Sequence, residues 1–226
     1  KNDETKLESL MQNGQLNGVQ DMKLLTAKEV HSREPLIHSS GGLWIPASGI
    51  IDSHQMMKTL EYLVKRKENT VIYNTKVIHI NYSSDQYTIF FQDMDYQAKS
   101  SVLINAAGLW CCKIASMIGI DDYDLHFCKG EYYKTSKFRY KVHSLIYPIP
   151  TEISLGIHIV LHLDGTLGFG PNAYYINDID YSMDGRHKQD FLKHINTYMD
   201  LNEVDLVEDF TGIRPKIQKE GEPSHD

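Results

Sequence analysis

The segment Val102-Leu103-Ile104-Asn105-Ala106-Ala107-Gly108-Leu109-Trp110 holds the strongest local chemistry in the chain. It reads as an apolar strand running into two alanines and a glycine, with a helix beyond. Small residues at the carboxyl end of a strand let a cofactor approach the backbone closely. A tight strand-to-helix turn with no ligand has the same composition, so this segment alone leaves both readings open. His158 is a second candidate. It lies in an apolar run, and an imidazole with an ordinary pKa of about 6.5 can accept or give a proton near neutrality. A core histidine bonded to a backbone carbonyl fits the same position. His162 follows four residues on. On a helix the pair could share a metal. On a strand rising roughly 3.3 Å per residue they stand about 13 Å apart, which argues against zinc.

The cysteines add little chemistry. Cys111-Cys112 invites a redox reading, but adjacent cysteines rarely bridge each other, and burial as small hydrophobes is simpler. With Cys128 the count is three, and there is no C-x-x-C. That pattern fits a reducing compartment, with the cytoplasm as the expected location and peripheral membrane contact left open.

The elements that must position these residues follow from apolar spacing and caps. Asp3 to Asn13 reads as a helix with Leu7, Leu10 and Met11 on one face, closed by Gly14. Asn17-Gly18 signals a turn. Thr26 reads as the N-cap of a helix over Ala27–Arg33, with Glu29 at the capping-box position and Pro35 beyond it. Gly41-Gly42 and Pro46 mark a loop. Asp52 or Ser53 caps a helix through Lys65, striped by Met56, Leu60 and Leu63. Strand-like runs follow at Val71–Ile80, Tyr87–Gln92 and Ser101–Asn105, with a turn at Ser83-Ser84-Asp85. A short helix lies near Trp110–Met117. Further strand-like runs span Glu131–Lys134, Ser144–Ile149, Gly156–Leu163 and Thr166–Gly170, and a helix lies near Arg186–Met199. Strands in blocks between helices predict an α+β domain, or an α/β cofactor domain interrupted by a substrate domain.

Composition limits the function classes. The chain has 226 residues, 41% hydrophobic and 23% charged, with a formal net charge of -7. A nucleic-acid-binding domain normally shows a basic face, and no basic tract is present. No run approaches the roughly 18–20 apolar residues of a membrane span. The first ten residues are polar and charged, unlike a signal peptide.

Eight segments, taken in order, carry a family resemblance. They are Ser48-Gly49-Ile50-Ile51-Asp52, Tyr73-Asn74-Thr75-Lys76-Val77, Asn105-Ala106-Ala107-Gly108-Leu109-Trp110 and Lys129-Gly130-Glu131-Tyr132-Tyr133. Beyond them come Leu145-Ile146-Tyr147-Pro148-Ile149-Pro150, Leu155-Gly156-Ile157-His158, Leu167-Gly168-Phe169-Gly170-Pro171-Asn172-Ala173 and Gly212-Ile213-Arg214-Pro215-Lys216. The set resembles L-2-hydroxyglutarate dehydrogenases and oxidases, within the D-amino-acid-oxidase-like FAD-dependent oxidoreductases. Two departures stand out. The G-x-G-x-x-G turn that binds the FAD pyrophosphate at a helix N-terminus is missing. Gly165, Gly168 and Gly170 have the wrong order and read as strand-turn glycines. The glycine-rich segment that follows the G-x-R-P region in such enzymes is missing too, so the resemblance implies a chain shortened at both ends.

The resemblance implies an FAD-linked reductase fold, with an incomplete α/β dinucleotide-binding domain and an α+β substrate domain on a mixed or antiparallel sheet. Residues 1–35 and 70–125 would form the partial FAD-binding domain. Residues 36–69 and 126–210 would form the substrate domain, and 211–226 would return toward the first. The implied reaction oxidises a 2-hydroxy acid, L-2-hydroxyglutarate by preference, to the 2-oxo acid, with FAD taking the hydride.

Such a reaction needs a cation for the carboxylate and a base for the hydroxyl proton. Arg214 is the candidate cation, because a guanidinium fork suits a carboxylate; a packing arginine beside Pro215 is the plainer reading. His158 is the candidate base. Tyr132 and Tyr133 would border the substrate, one reaching it while its neighbour packs on the opposite face. Lys129 would meet a second carboxylate or stay solvated. Val77, Ala106, Ala107 and Gly108 would contact FAD. The alternatives are an amine or amino-acid oxidase of the same fold, and a non-catalytic fragment of a split flavoenzyme. A separate chain supplying the missing FAD-binding segments is one expected partner, and a homodimer is another, since uncovered apolar surface promotes association.

Overall fold

The computed structural model describes residues 2–149 and 156–222, with no side-chain placement for the first two of these. Pro150 and Leu155 of the sequence motifs lie outside the described residues. In chain order the elements are α1 (Asn2–Leu16), β1 (Lys23–Thr26), α2 (Ala27–Arg33), β2 (Gly41–Trp44), α3 (Ser53–Arg66), β3 (Val77–Ser83), β4 (Gln86–Phe91), β5 (Gln97–Ser100), α4 (Cys111–Ser116), β6 (His126–Thr135), β7 (His158–Leu161), β8 (Leu167–Gly170), β9 (Tyr174–Ile176), α5 (Lys188–Ile195) and β10 (Val207–Lys216). A single 3-10 turn, Gly108–Trp110, leads into α4.

The chain forms two compact units. The first comprises residues 1–51, 129–174 and 180–212; the second comprises 52–128, 175–179 and 213–226. These boundaries fall elsewhere than the sequence partition, which joined residues 1–35 to 70–125.

Local sequence explains the first unit's elements. Thr26 caps α2 as expected: its hydroxyl accepts from the Glu29 N–H while its own backbone N–H donates to Glu29 Oε2 at 2.8 Å. Helix α1 runs past Gly14 to Leu16, and the side chain of Met22 packs where a Gly14 Cβ would stand. Its true stop is Gly18, at φ +78, with Val19 N–H bonding the Gly14 carbonyl and Gly18 N–H that of Gln15. This double bond pattern is the Schellman stop, which needs a left-handed residue. Gly41-Gly42 is a strand rather than a loop. β2 pairs antiparallel with β1, and a Cβ on Gly41 would lie 3.0 Å from the Leu25 carbonyl.

A five-stranded sheet organises the core, in the order β10-β6-β8-β7 with β9 also on β6. β6 pairs antiparallel with β8, and β8 with β7. Strand β10 was not anticipated; it lies at a sheet edge, where Pro215 removes no ladder bond from an interior strand. The Ser144–Ile149 run makes a single bridge, Ile146 to Ile159, instead of a strand. One face of the sheet is covered by α5, whose Phe191, Leu192 and Ile195 are buried. They join Tyr133, Ile159, Leu167, Phe169, Met199 and Leu206 in one apolar cluster. Burying each such side chain contributes about 1.5–3 kcal/mol. α5 is shorter than the expected Arg186–Met199, and its flanks close in turns.

In the second unit β3, β4 and β5 form a meander. Ser84 and Asp85 turn β3 into β4 with φ values of +51 and +58. Two positive φ values make the type I′ turn that matches strand twist. Helix α3 has the expected Asp52 cap, which accepts from Gln55 N–H at 2.9 Å. The Val71–Ile80 run becomes a strand only from Val77. Ser101–Asn105 is not a strand: β5 ends at Ser100, and no described strand pairs with the apolar residues that follow.

Candidate functional site

Strand periodicity sorts the β6 candidates. Lys129, Glu131, Tyr133 and Thr135 are buried, while Tyr132 and Lys134 between them are only half-buried. Tyr133 points into the core against Phe191, with ring centroids 4.6 Å apart, and its hydroxyl has no partner among the described residues. Burial pushes that phenol up to about 12. Tyr133 is thus the member of the Tyr132–Tyr133 pair that packs into the core. Lys129 is buried as well, where the sequence left it solvated or facing a second carboxylate. Its ammonium is buried, 3.1 Å from Asp180 Oδ2 and 2.5 Å from the Ser182 carbonyl, so its charge is already answered.

Tyr132 takes the other face of the sheet. It stacks on Phe210 with centroids 4.4 Å apart and planes 13° apart. It lies over Gly170, whose Cβ would sit 2.8 Å from the Tyr132 ring, so that position requires glycine. His158 pairs with the same Gly170 from β7. The residues Phe210, Tyr132, Gly170 and His158 therefore cross one sheet face, with Tyr147 stacked on the imidazole at 4.3 Å.

His158 Nδ1 lies 3.3 Å from the Gly156 carbonyl. A carbonyl only accepts, so Nδ1 holds the proton and Nε2 keeps its lone pair. Burial lowers the pKa of this imidazole, and the Gly156 bond only partly offsets that. Both the sheet position and the neutral form suit a proton acceptor. The bond to Gly156 is also what a core histidine would make.

Two clusters escaped the sequence reading. Glu131, 3% exposed, accepts from the Tyr174 hydroxyl at 2.7 Å and from Asn172 Nδ2 at 3.3 Å, and meets His187 Nδ1 at 2.8 Å. Burial and Glu131 together raise the Tyr174 phenol. The Gly-Glu and Pro-Asn motifs thus meet in space. The signal was the pair of motifs themselves, with nothing in their spacing to say that they touch. The second cluster lines a cleft of about 220 Å³, formed by Lys134, His162, Leu163, Asp164, Thr166 and Asp209. Asp209 takes Lys134 Nζ at 2.6 Å on one oxygen and faces His162 Nε2 at 3.4 Å with the other. Asp209 lies on the unanticipated β10, which hid this contact. Among the described residues no three His, Cys, Asp or Glu side chains are grouped to hold a metal.

The second unit holds the remaining candidates. Asn105 fixes the small-residue turn: its amide donates to the Cys111 carbonyl at 2.8 Å, and its oxygen accepts from Ala107 N–H at 3.2 Å. Gly108 has φ +57, and nothing lies within 4 Å of where its Cβ would be. Ala106 and Gly108 are exposed. Val77 opens β3 opposite Phe91. Cys111 and Cys112 are free thiols, that of Cys112 raised by burial and by its neighbour. Arg214 is exposed on β10, and its side chain makes no hydrogen bond or ion pair with a described residue. The structure brings Lys129, Tyr132, Tyr133 and His158 into one unit, and Val77, Ala106, Ala107, Gly108 and Arg214 into the other.

A family model described as FAD dependent oxidoreductase matches residues 1–226. Mitochondrial L-2-hydroxyglutarate dehydrogenase of Arabidopsis thaliana is 27% identical over 257 residues, covering 94% of this chain and 53% of that protein. L-2-hydroxyglutarate dehydrogenase of Escherichia coli K12 is 29% identical over 191 residues, covering 82% and 44%. Among solved structures, L-alpha-glycerophosphate oxidase of Mycoplasma pneumoniae with FAD bound superposes with a TM-score of 0.85 at 24% identity, covering 94% of this chain and 58% of that one. Glycine oxidase of Bacillus cereus gives 0.78 at 15%, covering 96% and 58%. The structural matches establish the expected FAD-oxidase fold. The chain spans about half the length of the curated relatives it matches.

Proposed function

Because this chain belongs to the FAD-dependent oxidoreductase family, we propose that it serves in the oxidation of a 2-hydroxy acid to the 2-oxo acid, with L-2-hydroxyglutarate as substrate. The observation that supports this most is Arg214, an exposed guanidinium without a described partner in the Gly-Ile-Arg-Pro motif. Structural cations are usually paired, as Lys129 and Lys134 are here. A free guanidinium fork is suited to a ligand carboxylate. The relatives' names supply the particular acid.

The second unit carries the cofactor-contacting candidates in this reading. The open space beside Gly108 and the exposed Ala106 fit a dinucleotide lying against the backbone. Ala106, Ala107, Gly108 and Val77 would hold FAD along one edge. The pyrophosphate turn is not among these residues, so the fit covers part of the cofactor. When bound, FAD supplies the hydride acceptor for the substrate's C2 hydrogen.

The chain's own groups do the rest. Arg214 holds the substrate carboxylate and so helps to orient the single C2 hydrogen. His158 Nε2 takes the hydroxyl proton, and its depressed pKa keeps it neutral and ready to accept at pH 7. Tyr132 and Phe210 offer an aromatic surface that excludes water beside it.

A substrate panel with a dye acceptor tests the reading on the flavin-loaded protein. L-2-hydroxyglutarate should support turnover, and its D isomer, glycine and L-proline should not. Turnover on the amino acids alone would replace the hydroxy-acid reading with an amine oxidase.

A further inference from the structure

We infer that Cys111 and Cys112 form a dithiol site that captures a trivalent organic arsenical through both sulfurs at once. The inference rests on side chains of the second unit and on no assumption about substrate or flavin.

Three observations lead there. First, the two thiols are adjacent in sequence, free and half-buried, so a small molecule reaches both, whereas Cys128 is buried. Second, the pair is poorly placed to close on itself. The peptide between Cys111 and Cys112 is trans, since Gly170-Pro171 is the cis bond among the described residues. A trans peptide sets neighbouring Cα atoms about 3.8 Å apart, short of the roughly 4.4–6.8 Å that a disulfide ordinarily spans. The backbone here is also held in place. Cys111 has helical angles, φ -61 and ψ -38, and its carbonyl accepts the Asn105 amide at 2.8 Å. A disulfide would have to turn this peptide, whereas an atom that bonds each sulfur separately lengthens the link and leaves the backbone where it is. Third, burial raises the Cys112 thiol, and its contact with Cys111 and the charge of Asp124 act in the same direction. A thiol that keeps its proton is a poor nucleophile toward alkylating agents and oxidants. The pair therefore persists as two S–H groups.

The chemical class of the ligand follows from the number of donors. Sulfur ligands select soft, thiophilic centres. Among the described residues no third His, Cys, Asp or Glu joins the pair to hold a metal ion, so zinc, which takes four ligands in a structural site, is poorly served. A trivalent arsenic atom that carries one organic group has two bonds left, and two thiols complete it. In the condensation the bonds between arsenic and oxygen break and two arsenic–sulfur bonds form. Both thiol protons leave with the oxygen as one water. Arsenic stays trivalent, so the step needs no oxidant or reductant.

The test is titration of the full chain with phenylarsine oxide, read by the mass of the intact protein. A single adduct per chain is expected. It should survive excess 2-mercaptoethanol and be released by 2,3-dimercaptopropanol, which offers two thiols of its own. Cys111→Ser and Cys112→Ser should each weaken capture by about 10²–10⁴-fold, the usual gain from a second, linked contact. Cys128→Ser should leave it unchanged. Serine is close to cysteine in size, and circular dichroism should show the same fold in all three variants. Absence of the adduct, its removal by the monothiol, or capture undiminished in Cys111→Ser or Cys112→Ser would overturn the inference. Loss of capture in Cys128→Ser would overturn it as well, by placing the second sulfur elsewhere. So would an untreated chain in which two thiols fail to titrate, which would mean that the pair is already a disulfide.

Discussion

Glu131 and Asn172 stand 41 residues apart and exchange two hydrogen bonds: the Glu131 N–H donates to Asn172 Oδ1 at 2.7 Å, and Asn172 Nδ2 donates to Glu131 Oε2 at 3.3 Å. This clasp ties β6 to the segment after β8. A Cβ on Gly130 would lie 2.8 Å from Pro171, so the two backbones meet closely only because that residue is glycine. Tyr132 follows Glu131 directly, and the clasp therefore sets where the aromatic face of the sheet begins.

Asn172→Ala removes both bonds and leaves a buried carboxylate short of a donor. Loss of partners from a buried charged group costs about 2 kcal/mol. Urea denaturation should show a lower midpoint with an unchanged slope. A midpoint equal to that of the parent would mean that the clasp contributes nothing.

Tyr133→Phe should act in the opposite direction. The hydroxyl is buried with no described partner, and removing it relieves an uncompensated desolvation. We expect a gain of about 1 kcal/mol in unfolding free energy, with substrate affinity unchanged. Loss of affinity in this variant would return Tyr133 to the binding site.

The contrast between these neighbours shows how far the sequence was legible. Thr26, Asp52 and the Ser84-Asp85 turn were readable because caps and turns are local: each is decided by groups a few residues apart. The FAD-oxidase fold was readable from ordered motifs. Which of Tyr132 and Tyr133 faces the core was not, since alternation fixes two faces without naming the covered one. Lys129 read as a charge available to solvent or ligand, because Asp180 lies 51 residues away. The Ser101–Asn105 run read as a strand from composition, but a strand also needs a neighbour to accept its bonds. Asp209 was missed with β10, whose proline and glycine mask a strand that sits at an edge.

His158 makes a pH prediction with a definite sign. Burial holds its folded pKa below the ordinary value of 6.5. The unfolded state then binds the proton more readily. Its contribution to stability is therefore present above about pH 6.5 and is lost as pH falls through the lower folded value. His158→Asn should flatten the decline of the urea midpoint between pH 7.5 and 5.5. In the flavin-loaded protein the same change should slow hydride transfer by about 10²–10⁴-fold, the usual size of a general-base contribution.

Arg214→Gln should weaken binding of L-2-hydroxyglutarate and of 2-oxoglutarate alike, by about 2 kcal/mol or some thirtyfold. Stability should not change, because the side chain is exposed and has no described partner. Calorimetric titration beside thermal unfolding separates the two effects. A fall in melting temperature without a fall in affinity would assign Arg214 to packing against Pro215.

The most direct test of the function is anaerobic addition of L-2-hydroxyglutarate to the flavin-loaded protein, complemented by the remaining stretches of the relative, while visible absorbance is followed. The oxidised flavin band should bleach in a single turnover, with 2-oxoglutarate formed in equal amount. Retention of the band with this acid, and its loss with an amino acid, would contradict the account.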